Sequence, residues 1–393
     1  MDNKRKYKLP SVNDLNKDQD KVLRLPESGR FLVIGGPGTG KSVISLMRMQ
    51  KYRDHGNYIF LVYNRVLMES TKQVIEGSLN GETWISWFNN QFFQLTNETT
   101  PLKSRSSYKK PDDKVIDFAE TIIKITEFYE DLESDEKGLH IIIDEGQDMP
   151  PEFYEALLEM YYVNFFVVAD QNQQITDQNS NIGEIKRWLS VDKVYSLKQN
   201  YRNSNPIAQL ARHFYTDPAT EKPELPEFTK TPFAKPQLCD YDDHEKIIKA
   251  ILKTSDQDPT LLVGVFTCIN KTREKYLNAL NNCNIKLDNN KPLISTYSSN
   301  GNAAVNIDFH RGGIVVLNDR SVKGLEFDIV FIADIDDFNV IRNIDEMKKR
   351  FYVMTSRAIK QLVLLRNSKN REEYRVDDIL PNDENILKRM SRQ

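Results

Sequence analysis

Short apolar runs alternate along the chain with longer amphipathic stretches. Phe31–Ile34, Tyr58–Tyr63, His140–Ile143, Phe165–Ala169, Leu261–Phe266, Gly313–Leu317, Ile329–Ala333 and Leu362–Leu365 are rich in Val, Ile, Leu and Phe, and several end on a polar or charged residue. Runs of this length without alternation read as strands covered on both faces, as in a parallel sheet. Between them Val43–Tyr52, Phe153–Tyr161, His244–Lys253 and Thr272–Asn281 carry the spacing of helices with one apolar face. Strand and helix in alternation predict an α/β fold with open parallel sheets, in which ligands sit at the carboxyl ends of strands. The strands fall into two groups, before and after about residue 198, and predict two sheet domains, 1–198 and 199–393.

Two polar stretches interrupt the pattern. Residues 97–113, with Lys103, Arg105, Lys109 and Lys110, read as a loop or short insertion within the interval 90–135. Residues 216–236 hold Pro218, Pro223, Pro226, Pro232 and Pro236 and read as a loop or linker, extended where the prolines cluster.

Composition narrows the class only slightly. The chain has 393 residues, 39% hydrophobic and 28% charged, with a formal net charge of -3. This charge gives no global basic signature, so contact with nucleic acid would need a local groove. Cys239, Cys268 and Cys283 have no metal-ligand spacing and make a poor disulfide framework, which fits a reducing cytoplasm. The first ten residues lack the apolar stretch of a signal peptide, and no apolar run is long enough to span a bilayer, so no membrane role is expected.

The first chemical signal is Gly35-Gly36-Pro37-Gly38-Thr39-Gly40-Lys41-Ser42. It follows a predicted strand and opens a predicted helix, the context a phosphate-binding loop requires. Glycines let backbone N–H groups turn inward on phosphate oxygens, and the helix N-terminus adds partial positive charge. Lys41 would reach the β- and γ-phosphates of ATP, and Ser42 would ligate Mg²⁺. The second signal is an apolar strand ending in acids, His140-Ile141-Ile142-Ile143-Asp144-Glu145-Gly146-Gln147-Asp148. On a strand adjacent to the loop strand, Asp144 would hold Mg²⁺ and Glu145 would orient and deprotonate the attacking water.

With these residues in place the chain resembles the superfamily 1 helicases of the UvrD/Rep type, from about Leu15 to Leu365 and with the motifs in the family's order. Leu15-Asn16-Lys17-Asp18-Gln19 resembles the Q motif, with Gln19 as adenine reader. Asp144 to Asp148 matches DExQD, and Val168-Ala169-Asp170-Gln171-Asn172-Gln173 resembles the third motif, with Gln173 sensing the γ-phosphate. Asn200-Tyr201-Arg202 matches NYR, implying that Tyr201 stacks on adenine and Arg202 reaches the γ-phosphate. Val322-Lys323-Gly324-Leu325-Glu326-Phe327-Asp328 matches KGLEFD, implying a ribose contact from Glu326. Phe351 to Ala358 resembles FYVALTRA and makes Arg357 a second arginine finger. The resemblance implies two RecA-like domains with ATP and Mg²⁺ in the cleft between them.

It also implies single-stranded DNA crossing both domains with 3'-to-5' polarity. Tyr63, Asn64 and Arg65 resemble motif Ia. Thr83 with Trp84-Ile85-Ser86-Trp87-Phe88 resembles TxHSF, although Trp84 and Trp87 at near-helical spacing suit a base-stacking groove and a core equally. The sequence departs from the family at Ile85, Arg320 and Val43, which replace a His, a His and an Arg, and at Gln174–Gln178, which has no aromatic residue. The ATP set is thus fuller than the stacking set. The two large inserted subdomains of the family have no room here. The expectation is a compact ATPase motor working with a protein partner such as a nuclease or effector subunit, in DNA repair or anti-phage defence. The alternative is a regulatory ATPase switch that controls such a partner without processive unwinding. A small-molecule kinase would not need the NYR and KGLEFD elements. Asp334, Asp336 and Asp337 read as solvated loop acids rather than a nuclease centre.

Overall fold

The computed structural model describes residues 9–75, 78–103, 115–130, 135–173, 179–218, 221–226, 234–297, 305–368 and 375–390. Arg105, Lys109, Lys110, Pro232 and the stretch 174–178 lie outside the described residues.

Six parallel strands form the first sheet: β1 (Arg30–Gly35), β2 (Tyr58–Val62), β3 (Gly81–Thr83), β4 (Lys137–Ile143), β5 (Tyr162–Ala169) and β6 (Val194–Leu197), in the order β3-β2-β4-β5-β1-β6. Seven parallel strands form the second: β7 (Gln237–Tyr241), β8 (Leu262–Thr267), β9 (Ile294–Thr296), β10 (Gly313–Asn318), β11 (Phe327–Ile332), β12 (Ala358–Asn367) and β13 (Lys388–Met390), in the order β13-β7-β12-β11-β8-β10-β9. The protein is therefore an α/β fold with two parallel sheets.

Each sheet is covered on both faces. On one side of the first lie α4 (Trp84–Thr96), α5 (Phe118–Tyr129), α6 (Pro151–Glu159) and α7 (Ile182–Trp188), around Phe88, Phe153 and Leu157. On the other lie α1 (Lys17–Leu23), α2 (Lys41–Tyr52) and α3 (Arg65–Val74). The second sheet is covered by α8 (Asn205–His213) and α11 (Ile344–Thr355) on one face and by α9 (His244–Gln257) and α10 (Asn270–Asn282) on the other. Covered on both faces, β2, β8 and β11 are buried along their whole length and are mostly apolar.

Strand order corrects one expectation. The acidic strand β4 is not beside the loop strand β1; β5 lies between them. The end of β5, with Asp170 and Gln173, is thereby set between the phosphate loop and the acids.

The two units share a core. Val66 of α3 packs in the cluster of the second sheet, with Val322, Leu325 and Ile307. Gln73 of α3 donates from Nε2 to Ile307 O at 2.8 Å and accepts at Oε1 from Phe309 N at 2.7 Å. Among the described residues no helix is long and apolar enough to cross a membrane.

Candidate active site

The glycine loop turns from β1 into α2. Gly38 and Gly40 have φ of +72° and +88°, where an L side chain is strained. At Gly38 a Cβ would also lie 2.2 Å from Asn200 Oδ1, so only glycine fits against the NYR segment. Tyr201 N donates to Gly38 O at 2.8 Å. Lys41 is buried and donates to Gly35 O at 2.7 Å and Gly36 O at 2.9 Å. Its ammonium lies 3.9 Å from Asp170 Oδ2. Burial pulls the Lys41 pKa down, and the Asp170, Glu145 and Asp144 carboxylates oppose that shift.

Across β5 stand the acids. Burial pushes Asp144 up to about 6, helped by the adjacent Glu145 charge and opposed by the Ser42 hydroxyl hydrogen-bonded to it. The Ser42 hydroxyl and Asp144 carboxylate form an oxygen donor set that suits a hard cation such as Mg²⁺, and a cation there would relieve the crowding of two buried carboxylates. Among the described residues, no three His, Cys, Asp or Glu side chains gather to hold a metal by themselves, so phosphate oxygens would complete the shell. Glu145 has φ +57° and ψ +44°, a left-handed conformation stored at the end of the strand. Burial raises its pKa, but the Lys323, Lys41 and Arg357 charges outweigh burial and leave it below the usual carboxylate range. Gln147 orients it, donating from Nε2 to Glu145 Oε2 at 2.7 Å while Oε1 accepts from Asp170 N at 2.9 Å.

The second unit supplies the cations. Arg357 is fully buried at the end of α11 and donates from Nη2 to Gln173 Oε1 at 2.6 Å. Burial and the nearby Arg202 lower its pKa to about 10, which leaves it charged. Gln173 is the crossing point: its Nε2 donates to Asp170 Oδ2 at 2.6 Å, and its carbonyl accepts from Lys323. Arg202 donates from Nε to Glu326 Oε1 at 2.7 Å, so these two residues, assigned by resemblance to γ-phosphate and ribose, hold each other. Tyr201 is half exposed; its hydroxyl accepts from Asn16 Nδ2 at 2.6 Å and donates to Gln199 Oε1 at 2.5 Å. Gln19 is buried, with Nε2 donating to Thr39 O at 3.0 Å and Oε1 accepting from Asn16 N at 3.1 Å. Its amide ties α1 to the loop.

Pro37, Gly38, Thr39, Gly40, Lys41, Ser42, Gln19, Asp144, Glu145, Gln173, Tyr201, Arg202, Glu326 and Arg357 all line one cavity of about 340 Å³. Gly35 and Gly36 shape the loop beside it. Sequence reasoning passed over three supports. Lys323, buried, reaches from the second unit to Asp148 Oδ2 at 2.6 Å and stands 3.9 Å from Glu145 Oε2. Asn203 donates from Nδ2 to Ser356 O at 2.9 Å and also to Ala358 O, and accepts from Asn200 Nδ2 at 2.9 Å, which joins the NYR segment to the Arg357 turn. Asn16 caps α1 and holds Tyr201. Lys323 had a signal, its place in KGLEFD; the pair Asn200 and Asn203 had only its spacing.

The expected strand contacts fare differently. Trp84 and Trp87 are 4% and 5% exposed, and their rings pack on Phe153 at 5.1 Å and Tyr162 at 5.6 Å. Both are core residues and present no face to a base, because α4 turns its apolar stripe onto α6 and β5. Asn64 caps α3 by accepting from Leu67 N at 2.8 Å. Tyr63 is half-buried and Arg65 exposed.

The AAA domain family model matches residues 19–179. No curated protein matches the chain. Among solved structures, the C-terminal domain of a possible DNA helicase from Lactobacillus plantarum WCFS1 is similar at 15% identity and a TM-score of 0.33, covering 48% of this chain and 98% of that one. The matched segment contains the phosphate loop, the acids and Gln173, and residues of the second sheet complete the cavity.

Proposed function

We propose that this protein hydrolyses ATP in the cleft between its two units and uses the cycle to move on single-stranded DNA in the 3'-to-5' direction, with a partner protein, in DNA repair or anti-phage defence. The division of labour falls near residue 198. The observation that carries the reading is the single cavity in which Lys41, Asp144 and Glu145 of the first unit meet Arg202 and Arg357 of the second. Glu145 accepts the proton of the attacking water, while Lys41 and the two guanidiniums offset charge developing on the γ-phosphoryl oxygens. Ser42 and Asp144 would hold Mg²⁺, which neutralises phosphate charge when bound. Because the charges that stabilise ATP sit on both units, binding favours their closure and product release loosens them.

A second reading is supported by two observations. The buried Trp84 and Trp87 remove two stacking platforms, and the units are tied by Gln73 and Lys323. Both suit a regulatory ATPase switch that acts on a nuclease or effector subunit. ATP turnover measured alone and with single-stranded DNA, single-stranded RNA or duplex separates the two. Severalfold stimulation by single-stranded DNA supports the translocase; turnover indifferent to every polymer overturns it in favour of the switch.

A further inference from the structure

The proline-bearing stretch after α8 has no part in the chemistry above, yet its described residues lie against the site. Thr216 N, Thr216 Oγ1 and Asp217 N all donate to Asn172 Oδ1, at 2.9, 3.0 and 3.1 Å. Asn172 is completely buried. It precedes Gln173, the residue that holds Arg357 and Asp170. Its Nδ2 is buried with no hydrogen-bond partner among the described residues. Among the described residues the side chain is therefore held by its acceptor end.

The same stretch reaches the outer face of the phosphate loop. A Cβ on Gly36 would come 2.4 Å from Pro223 Cγ and 3.6 Å from the Tyr352 hydroxyl. Tyr215 packs edge-on against Tyr352, with ring centroids 5.7 Å apart. Further anchors hold Glu221–Pro226: Lys198 Nζ donates to Glu221 Oε2 at 3.2 Å, and Asn205 Nδ2 to Pro226 O at 2.6 Å. Residues 215–218 continue directly from α8, whose Ile207, Leu210 and Ala211 sit in the core of the second sheet. Asn172 and Gly36 belong to the first unit. The contact thus joins a rigid element of one unit to the γ-phosphate side of the other.

We propose that Asn172 is a positioning residue, through which residues 215–218 of the second unit set the loop that carries Gln173 for hydrolysis. The proposal rests on the ATPase reading and deepens it. Asn172 does not line the cavity, so its loss acts on turnover rather than on binding. Misplacing a catalytic group by a fraction of an ångström slows chemistry without weakening ground-state contacts.

The test is steady-state ATP hydrolysis by the full chain, with thermal melts in parallel. In Asn172→Ala, kcat falls about tenfold or more while KM for ATP stays within about threefold. Asn172→Asp keeps an acceptor for the three donors and restores most of kcat. Should Asn172→Ala not fold, Thr216→Val removes one of the three bonds and lowers kcat severalfold at unchanged KM. Unchanged kcat in folded Asn172→Ala or Thr216→Val, with only a lower melting temperature, overturns the proposal. So does Asn172→Asp with no more activity than Asn172→Ala. A wild-type chain that turns over no ATP overturns the ATPase reading itself, a result distinct from either.

Discussion

Lys41 and Glu145 line one cavity with opposite charges, and the roles proposed for them rest on chemistry that is encoded locally. A loop of glycines before Lys-Ser and a strand ending in Asp-Glu keep their meaning in any context that places them at strand ends. Lys41→Ala should lower ATP turnover about a hundredfold or more, since it removes a cation aimed at developing phosphoryl charge; wild-type turnover in that variant contradicts the assignment. Glu145→Gln should bind ATP normally and hydrolyse it about a hundredfold more slowly or worse, the size expected for losing a general base. What the residues could not announce was their choice of partners. Arg202 with Glu326, inside the second unit, and Lys323 with Asp148, between the units, lie 124 and 175 positions apart, and only the tertiary fold brings them together. Asp148 also gives a pH signature. Burial pushes it up to about 7 against the pull of Lys323, from an ordinary value of 3.8. The folded chain then keeps a proton that the unfolded chain has lost, so stability declines as pH rises from about 4 to about 7, by at most about 1.4 kcal/mol per pH unit. Melting curves across that range, in chelator and without nucleotide, should show a shallower slope in Asp148→Asn; an equal slope removes Asp148 as the source.

At the scale of elements, long apolar strands were easy to read and short or edge strands were not. β1, β2, β8, β10 and β11 follow the apolar runs closely, and β4, β5 and β12 contain theirs but begin earlier. β3, β9 and β13 have three residues each, too few for a pattern, and β7 is only partly apolar. The order within the first sheet was also hidden, because every crossover is compatible with the same runs. Helix α4 shows the remaining ambiguity: its aromatic stripe has the same spacing whether it faces a core or a groove, and only the packing of Phe153 and Tyr162 against it settles which. The α3 junction makes a specific prediction. Gly324 has φ +77°, and a Cβ there would lie 2.6 Å from Leu67 Cδ1, across the boundary between the units. Gly324→Ala should therefore cost about 1–3 kcal/mol of stability by strain and overpacking. Denaturant unfolding checks this; a midpoint equal to wild type would mean that the junction yields freely.

The whole molecule is two sheets closed on one cavity, with each unit holding half of the groups. Among the described residues the two units hold each other at several places, including Gln73 of α3 with residues 307–309, Lys323 with the acidic turn, Arg357 with Gln173, and Thr216 and Asp217 with Asn172. These contacts lie beside the phosphate loop and the Gln173 loop, so on the proposed cycle closing and opening the units would bear directly on the groups assigned to the γ-phosphate. The resemblance at the level of motifs implied two units, and the chain forms two parallel sheets with a cavity lined by residues from both halves. The resemblance did not foretell how the units are tied, because ties such as those of Gln73 and Thr216 carry no motif. The central claim is that ATP is hydrolysed by groups from both units together. Arg357, fully buried on the second unit and bonded to Gln173 of the first, tests it most directly. In steady-state hydrolysis, Arg357→Ala should lower kcat about a hundredfold or more, with only a modest rise in KM for ATP. A kcat equal to wild type would contradict the composite site.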